Sequence, residues 1–569
     1  MQPTGFSAWI RSPGVRETIE SVLIAVLLAL LFRFFEAEAY VIPTGSMAPD
    51  LQGRHIDTVC PECGYEIRAG AAKERGRPVN RVACPICQHP KVLKPNVRDD
   101  RPFSGDRILV SKFAYDFNDP DRWDVIVFKY PNNGKQNFIK RLIGLPNEGV
   151  LIENGDIYAF DQETQSFADR EICRKPPNKQ KAMLHQVDDT NHIAQTLIDA
   201  GWPSRWQQWN TQNQDSDWQI NDELNRFTLN NPTDTARWLR YRHLQPEKTD
   251  WETSLNLSPP ELPKRMQEEV PTGQLITDYY AYNDTPINDI GEFSPYVGLH
   301  WVGDLAFEAN VDIQSESGTL MLELVEGGIK FLCNINVADG SAIFDWSNSF
   351  GSDSIAMEGN TTLLTGIKGP GKYEVLFANT DNQLSLWVNG SFIGSCAYSR
   401  SGVVVPKWSQ ADAGDAEPAG IGGKAIKMEV TRLQIFRDIY YTSKNLTRQT
   451  AVGDDNPSFE YLGYDSRNPR VLEAIKSLFK QPWEWGGAAA ERLFASRDRD
   501  ESFTFELGDN QFLPMGDNSP QSNDARTWNG ARYIDGSYLL GEALFIYWPH
   551  AKTSPLPIWP NFERMKFIQ

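Results

Sequence analysis

Two short stretches carry residues whose types could do chemistry together. In Pro43-Thr44-Gly45-Ser46-Met47-Ala48-Pro49 a single serine hydroxyl lies between conformationally special neighbours. Gly45 can take backbone angles closed to other residues and the prolines stiffen the flanks, so Ser46 can be held proud of the chain as a nucleophile. The same composition also describes an ordinary turn. In Phe138-Ile139-Lys140-Arg141-Leu142-Ile143-Gly144-Leu145-Pro146, Lys140 stands inside an apolar, β-branched run. An ammonium buried there must be paired or give up its proton, because desolvation lowers a lysine pKa. A neutral lysine beside a serine can take the hydroxyl proton, giving a Ser-Lys dyad that needs no histidine. The alternative is a strand lysine whose amine reaches solvent along its own stem.

A third constellation has metal-ligand spacing. Cys60-Pro-Glu-Cys63-Gly is followed, after twenty intervening residues, by Cys84-Pro-Ile-Cys87. Two tight C-x-x-C turns point four sulfurs inward and close a tetrahedron, the pattern of a structural zinc ribbon. Four protein sulfurs leave no open position, so a catalytic metal is not expected. In an oxidising compartment the same cysteines could form disulfides, and solvated thiols are the third alternative. Cys173, Cys333 and Cys396 have no spacing partner, and His185, His192, His243 and His300 are scattered, so none is assigned to catalysis.

The elements that must position these residues begin with an apolar run, Val22 to Phe32, extended over 19–35 with Glu20 and Arg33 as the charges inside. Followed by Ala37-Glu38-Ala39, it fits a removable secretory signal with an A-x-A site. It also fits an uncleaved membrane anchor whose end charges snorkel. Arg11 and Arg16 precede the run while Glu36 and Glu38 follow it, which leaves the short N-terminus in the cytoplasm and the rest outside. Ser46 comes seven positions after Ala39, so it must lie close to the outer membrane surface. At 569 residues the chain is expected to form several domains. With 75 acidic against 56 basic residues and a net charge of −19, it has no basis for a sequence-independent grip on nucleic acid.

Four blocks, in order, resemble the type I signal peptidases. Pro43 to Leu51 (PTGSMAPDL) is similar to the nucleophile box, and Gly105 to Tyr115 (GDRILVSKFAY) to the strand block after it. Lys140 to Pro146 (KRLIGLP) is similar to the general-base box, and Met515 to Arg526 (MGDNSPQSNDAR) to the closing GDN…S…D.R box. Together they cover roughly 15–160 and 500–550, about a third of the chain. The resemblance implies a membrane-anchored serine endopeptidase that cuts signal peptides from exported preproteins after small residues, with no cofactor for catalysis. It favours the uncleaved anchor, because the family places one just before the nucleophile box. It implies Ser46 as nucleophile, Lys140 as general base, and the Ser46 amide with the Thr44 hydroxyl as oxyanion donors. Ser522 matches the serine that orients the lysine, and Asp524 with Arg526 matches a supporting pair. The chain departs from the family at Ser519, Ala525 and Asn147-Glu148, which touches the supporting shell and not the bond-breaking groups.

After the base box, 150–158 reads as a hairpin around Asn154-Gly155. The peptidase pattern then stops until Phe503, so some 340 residues must be inserted at a surface loop. Strand-like runs at 305–313, 319–325, 373–378, 384–388 and 425–435, with turns at Gly327-Gly328 and Asn389-Gly390, argue for a two-sheet β-sandwich. Tyr373 to Gly394 resembles the paired strands of concanavalin-like or laminin-G-like sandwiches. Helices are expected around 192–200 and 471–479, and 401–424, rich in Gly, Ala, Pro and Asp, as a long mobile loop.

The expected fold is therefore mainly β: a signal-peptidase-like β catalytic core behind one N-terminal transmembrane helix, with a zinc-ribbon-like insertion and a large β-sandwich insertion. The expected division is a cytoplasmic N-terminus at 1–16, the anchor at 17–38, core at 39–59 and 98–160, and the ribbon at 60–97. A mixed connector at 161–217, the sandwich at 218–442, a helical linker at 443–500 and the closing core at 501–569 follow. Expected partners are signal peptides, membrane lipid, the export machinery, and a glycan or protein ligand for the sandwich. Two rivals remain: a membrane-tethered glycan- or protein-binding adhesion module on a degenerate peptidase frame, and a peptidase that cleaves only itself near Ala39.

Overall fold

The computed structural model describes residues 17–18, 20–27, 37–71, 79–94, 96–208, 217–256, 272–283, 298–351, 354–400, 404–442, 469–495, 504–528, 530–551 and 559–569. Strand dominates throughout. The sheet that carries the nucleophile and base candidates has seven strands: β1 (Ala37–Val41), β2 (Arg107–Ser111), β3 (Val125–Tyr130), β4 (Asn133–Gly144), β5 (Gln511–Met515), β6 (Ile534–Asp535) and β7 (Leu539–Trp548). Their spatial order is β1-β2-β7-β3-β4-β5-β6, with antiparallel pairing throughout. Period-2 alternation gives the sheet two buried faces. Val125 and Val127 of β3 join Ile108, Val110 and Ile546 on one side, where Met47 and Leu51 anchor the serine loop. Ile126 and Phe128 join Leu142, Phe512 and Met515 on the other.

A four-stranded sheet closes the entrance to the large insertion. Glu148–Glu153 and Asp156–Asp161 form the expected hairpin, with positive φ at Asn154 and Gly155. Phe505–Glu506, which follows the insertion, pairs with Glu148–Glu153, so Phe505 faces Val150 across one ladder. The insertion thus leaves from Asp156–Asp161 and re-enters at Phe505–Glu506, the two strands that flank Glu148–Glu153 in one sheet, an arrangement that lets a domain be spliced into a surface loop.

Within the insertion two antiparallel sheets pack face to face over one core that includes Phe307, Leu322, Phe331, Phe377, Leu386 and Ile421. The runs expected at 305–313, 319–325, 373–378 and 384–388 lie in Leu305–Ile313, Thr319–Glu326, Gly371–Thr380 and Gln383–Val388. The helices expected near 192–200 and 471–479 are Gln195–Asp199 and Pro469–Leu478. His185–Asp189 and Trp206–Gln207, from the segment expected to be a connector, pair into the two sheets.

Two expectations are corrected. Residues 401–424 are not one mobile loop: Ala419–Lys424 is an inner strand between Arg237–Tyr241 and Thr319–Glu326. Its glycines are packing residues, since a Cβ on Gly422 would come within 2.8 Å of the Trp238 ring and of the Arg237 carbonyl. The anchor expected at 17–38 cannot extend to 38, because Ala37–Val41 is a strand paired with β2. Residues 17–18 and 20–27 are helical, while 1–16, 19 and 28–36 lie outside the described residues. Among the described residues no helix is long and apolar enough to cross a membrane.

If Ala419–Lys424 is an inner strand, its amides exchange slowly and Ile421→Ala costs about 2–5 kcal/mol, the range for truncating a buried aliphatic side chain. Hydrogen exchange and denaturant melts read both, and fast exchange with an unmoved melt would return the segment to a loop.

Candidate active site

Ser46 sits in a chain of turns between β1 and the first ribbon hairpin, with Ala48 donating its amide to the Gly45 carbonyl and Leu51 to that of Met47. The closing box holds the loop from the other side: Asn518 donates its backbone amide to the Ser46 carbonyl at 3.1 Å and its side-chain Nδ2 to the Gly45 carbonyl at 2.9 Å. Lys140 projects from the buried half of β4, opposite Ile126 of β3. Its Nζ lies 2.7 Å from Ser46 Oγ and donates to the Ile139 carbonyl at 2.8 Å. Lys140 is 3% exposed and Ser46 8%. Loss of hydration pushes the Lys140 amine down to about 8 from 10.5, against the pull of Asp524 and Asp517 in the other direction.

Both carboxylates are occupied by arginines. Asp517 receives Arg141 Nε and Nη2, each at 2.7 Å, and Asp524 receives Arg526 Nε at 2.8 Å and Nη2 at 2.7 Å. Such two-pronged contacts fix planes as well as distances. Burial by itself would raise the Asp524 pKa, but the Arg526 charge, the Gly516 amide and the Ser522 hydroxyl hold it below the usual carboxylate range. Ser522 is fully buried, and the hydrogen bonds of Lys140 go to Ser46 and Ile139. Thr44 lies half-buried two residues before Ser46, and its hydroxyl has no hydrogen-bond partner among the described residues.

Sequence inspection missed several members of this site. Arg141 and Asp517 stand inside recognised boxes, where a second cation beside Lys140 in an apolar run and the carboxylate of the GDN turn were the available signal. Asp106 accepts the Gln52 amide at 2.8 Å and Arg564 at 2.6 Å, tying the C-terminal end to the serine loop. Asn283, from the insertion, bonds the side chain of Asn518 and has no sequence signal at all.

The four C-x-x-C cysteines converge. Each pair lies at the turn of its own hairpin region, beside His55–Val59 with Glu66–Gly70 and beside Arg81–Ala83 with Pro90–Val92. Gly64 and Gln88 close the turns with positive φ, donating to the carbonyls of Cys60 and Cys84. All four Sγ atoms lie within 4.8 Å of one another, with Cys60 to Cys87 at 3.6 Å and Cys63 to Cys84 at 3.5 Å. Those separations are too long for sulfur–sulfur bonds, and close to the edges of a tetrahedron with metal–sulfur bonds of about 2.3 Å. The donor set therefore fits a four-thiolate metal. The insertion braces this unit: Trp251 Nε1 donates to the Cys87 carbonyl at 2.9 Å and Arg205 to that of Ile86 at 2.9 Å.

Residues 87–201 match the family model for signal peptidase, peptidase S26. That span contains Lys140 and begins after Ser46. A probable signal peptidase I-1 of Synechocystis sp. is 28% identical over 170 residues, which are 29% of this chain and 59% of the relative. A signal peptidase I of Leptolyngbya laminosa is 28% identical over 186 residues, 32% of this chain and 64% of the relative. One from Pseudomonas fluorescens reaches 35% over 94 residues, 14% and 32% of the two chains. The chain thus spans less than two thirds of the length of each of these relatives. The likeness supports a hydrolase of the signal-peptidase type at family level. Among solved structures, Caenorhabditis elegans galectin LEC-6 aligns with 24% of this chain and 83% of its own at 10% identity and a TM-score of 0.18. The carbohydrate binding module CBM66 from Bacillus subtilis covers 42% and 96% at 12% identity and a TM-score of 0.19. Neither likeness carries an argument about a ligand.

With the amine near 8, the pool of unprotonated Lys140 grows about tenfold per pH unit below that value and levels above it. Acylation of Ser46 by an activated ester, followed by mass spectrometry, is expected to climb along that curve. A rate flat between pH 6 and 9 would exclude Lys140 as the base.

Proposed function

We propose that this chain is a membrane-anchored serine endopeptidase that removes signal peptides from exported preproteins after small residues, at sites of the Ala-x-Ala type. The observation that carries the proposal is the 2.7 Å approach of Lys140 Nζ to Ser46 Oγ, both buried. The matched family region and the signal peptidase relatives support the substrate class.

In the proposed mechanism unprotonated Lys140 takes the Ser46 proton as Oγ attacks the carbonyl carbon of the scissile bond. The Ser46 amide and the Thr44 hydroxyl stabilise the oxyanion. Lys140 then gives its proton to the departing amine, and later draws one from the water that releases the acyl group. Ser522, Asp524 and Arg526 act as supports. The Ile139 carbonyl, fixed by β4, aims the amine.

The division proposed is a cytoplasmic 1–16, an anchor beginning at 17, a core from 39–59, 98–160 and 501–569, and insertions between them. Val22, Leu23, Ile24 and Leu27 are each more than half exposed on their helix, which suits a lipid-facing surface. An anchor so close to Ser46 would hold the nucleophile at the depth where a membrane-held signal peptide presents its backbone. Cys60, Cys63, Cys84 and Cys87 would hold a structural zinc ion that clamps the two hairpins; no ligand position would remain for chemistry.

The deciding experiment is processing of a preprotein with an Ala-x-Ala site, in vesicles, by the parent chain, Ser46→Ala and Lys140→Ala. Both variants are expected to lose about a thousandfold or more in rate while keeping their fold. Parental rates in either would refute the dyad. Metal analysis of the full chain is expected to give one zinc per chain, lost in Cys63→Ser. A chain without zinc, or with these cysteines oxidised, would remove the ribbon assignment.

A further inference from the structure

We infer that the large insertion completes the catalytic site through Asn283, which positions Asn518 and through it the backbone of the nucleophile loop. The inference rests on the proposed peptidase function and adds a role for a part of the chain outside the recognised boxes.

Asn283 belongs to a stretch, residues 272–283 of the described chain, that is anchored at several points. Leu275 donates its amide to the Phe479 carbonyl, Gln274 to that of His243, and Gly70 of the ribbon hairpin donates to the Tyr282 carbonyl at 2.9 Å. Asp278 pairs with His300 at 2.8 Å. At the far end Tyr282 packs its hydroxyl end against the nucleophile loop: a Cβ on Gly45 would come within 2.2 Å of the Tyr282 hydroxyl oxygen and 2.3–2.5 Å of its ring carbons, so that contact exists only because residue 45 has no side chain.

Beside it the two asparagines pair amide to amide. Asn283 Nδ2 donates to Asn518 Oδ1 at 2.6 Å, and Asn518 Nδ2 donates to Asn283 Oδ1 at 2.9 Å. Both are nine-tenths or more buried, at 5% and 3% exposure. An asparagine amide turned over exchanges a donor for an acceptor, so in the reciprocal pair neither amide can turn without the other, and the Gly45 carbonyl selects the orientation that offers it a donor. In that orientation the second Nδ2 proton of Asn518 reaches the Gly45 carbonyl at 2.9 Å. Without Asn283, the Asn518 amide can flip and set an oxygen against the Gly45 carbonyl oxygen. The Gly45–Ser46 peptide carries the Ser46 amide assigned to the oxyanion, so freeing its carbonyl degrades transition-state stabilisation before it degrades substrate binding. Asn283 is a positioning residue: it touches neither substrate nor the reacting atoms.

The test compares full-length parent, Ser46→Ala, Asn283→Ala, Asn518→Ala and the double Asn283→Ala/Asn518→Ala in steady-state processing of the same preprotein. Asn283→Ala is expected to lower kcat about tenfold with KM unchanged, as for a lost bond felt mainly in the transition state. The double variant is expected to be no slower than Asn518→Ala alone, because both changes break one chain of contacts. Asn283→Ser, too short to bridge, is expected to repeat the kcat loss and provides the reading if the alanine variant does not fold. A parental kcat in Asn283→Ala or Asn283→Ser would overturn the inference while leaving the peptidase proposal intact. Additive losses in the double variant, or kcat and KM falling together with the melting temperature, would also overturn it. A parent no faster than Ser46→Ala would remove both.

Discussion

A primary amine held out of water beside one hydroxyl is the constraint on which the rest of the catalytic half depends. Dehydration alone would release the proton of Lys140, while the two nearby carboxylates oppose that release. Asp517 and Asp524 are each clamped by an arginine of their own, so their charge is largely spent before it reaches the amine. Two tight ion pairs behind a lysine look structural, and they are. They also keep the local field near balance, so that burial decides the protonation state at neutral to mildly alkaline pH.

These pairs join distant parts of the chain. Arg141 and Asp517 are 376 residues apart, and Asn283 and Asn518 are separated by 235. The entropy of closing such loops is not carried by the catalytic core. The insertion folds its own two sheets and returns its ends to one four-stranded ladder, where Val150 meets Phe505. The end of its sandwich meets the core: the Tyr441 hydroxyl donates to Asp517 at 3.3 Å, and Arg526 donates to the Thr442 carbonyl at 2.6 Å. The insertion is therefore a structural partner of the site at both of its inner edges.

The sequence errors share one cause, which is that composition reports local preference. The glycine-rich strand of the sandwich is an example: Ala419–Lys424 reads as loop because glycine weakens isolated strands, yet between two strands and beneath Trp238 the missing side chains are what allow packing.

By itself the sequence determined what is local: the serine between prolines, the lysine in an apolar strand, the two C-x-x-C turns, the Asn154-Gly155 hairpin and most sandwich strands. Period, turn chemistry and ligand spacing are written within a few residues, so they survive without a fold. Only the tertiary structure decided which groups meet: Asp517 with Arg141, Asp106 with Arg564, and Asn283 with Asn518. Those pairings depend on which buried surfaces come together, and a buried polar group accepts whatever partner the packing brings within about 3 Å, a choice no short stretch of residues encodes.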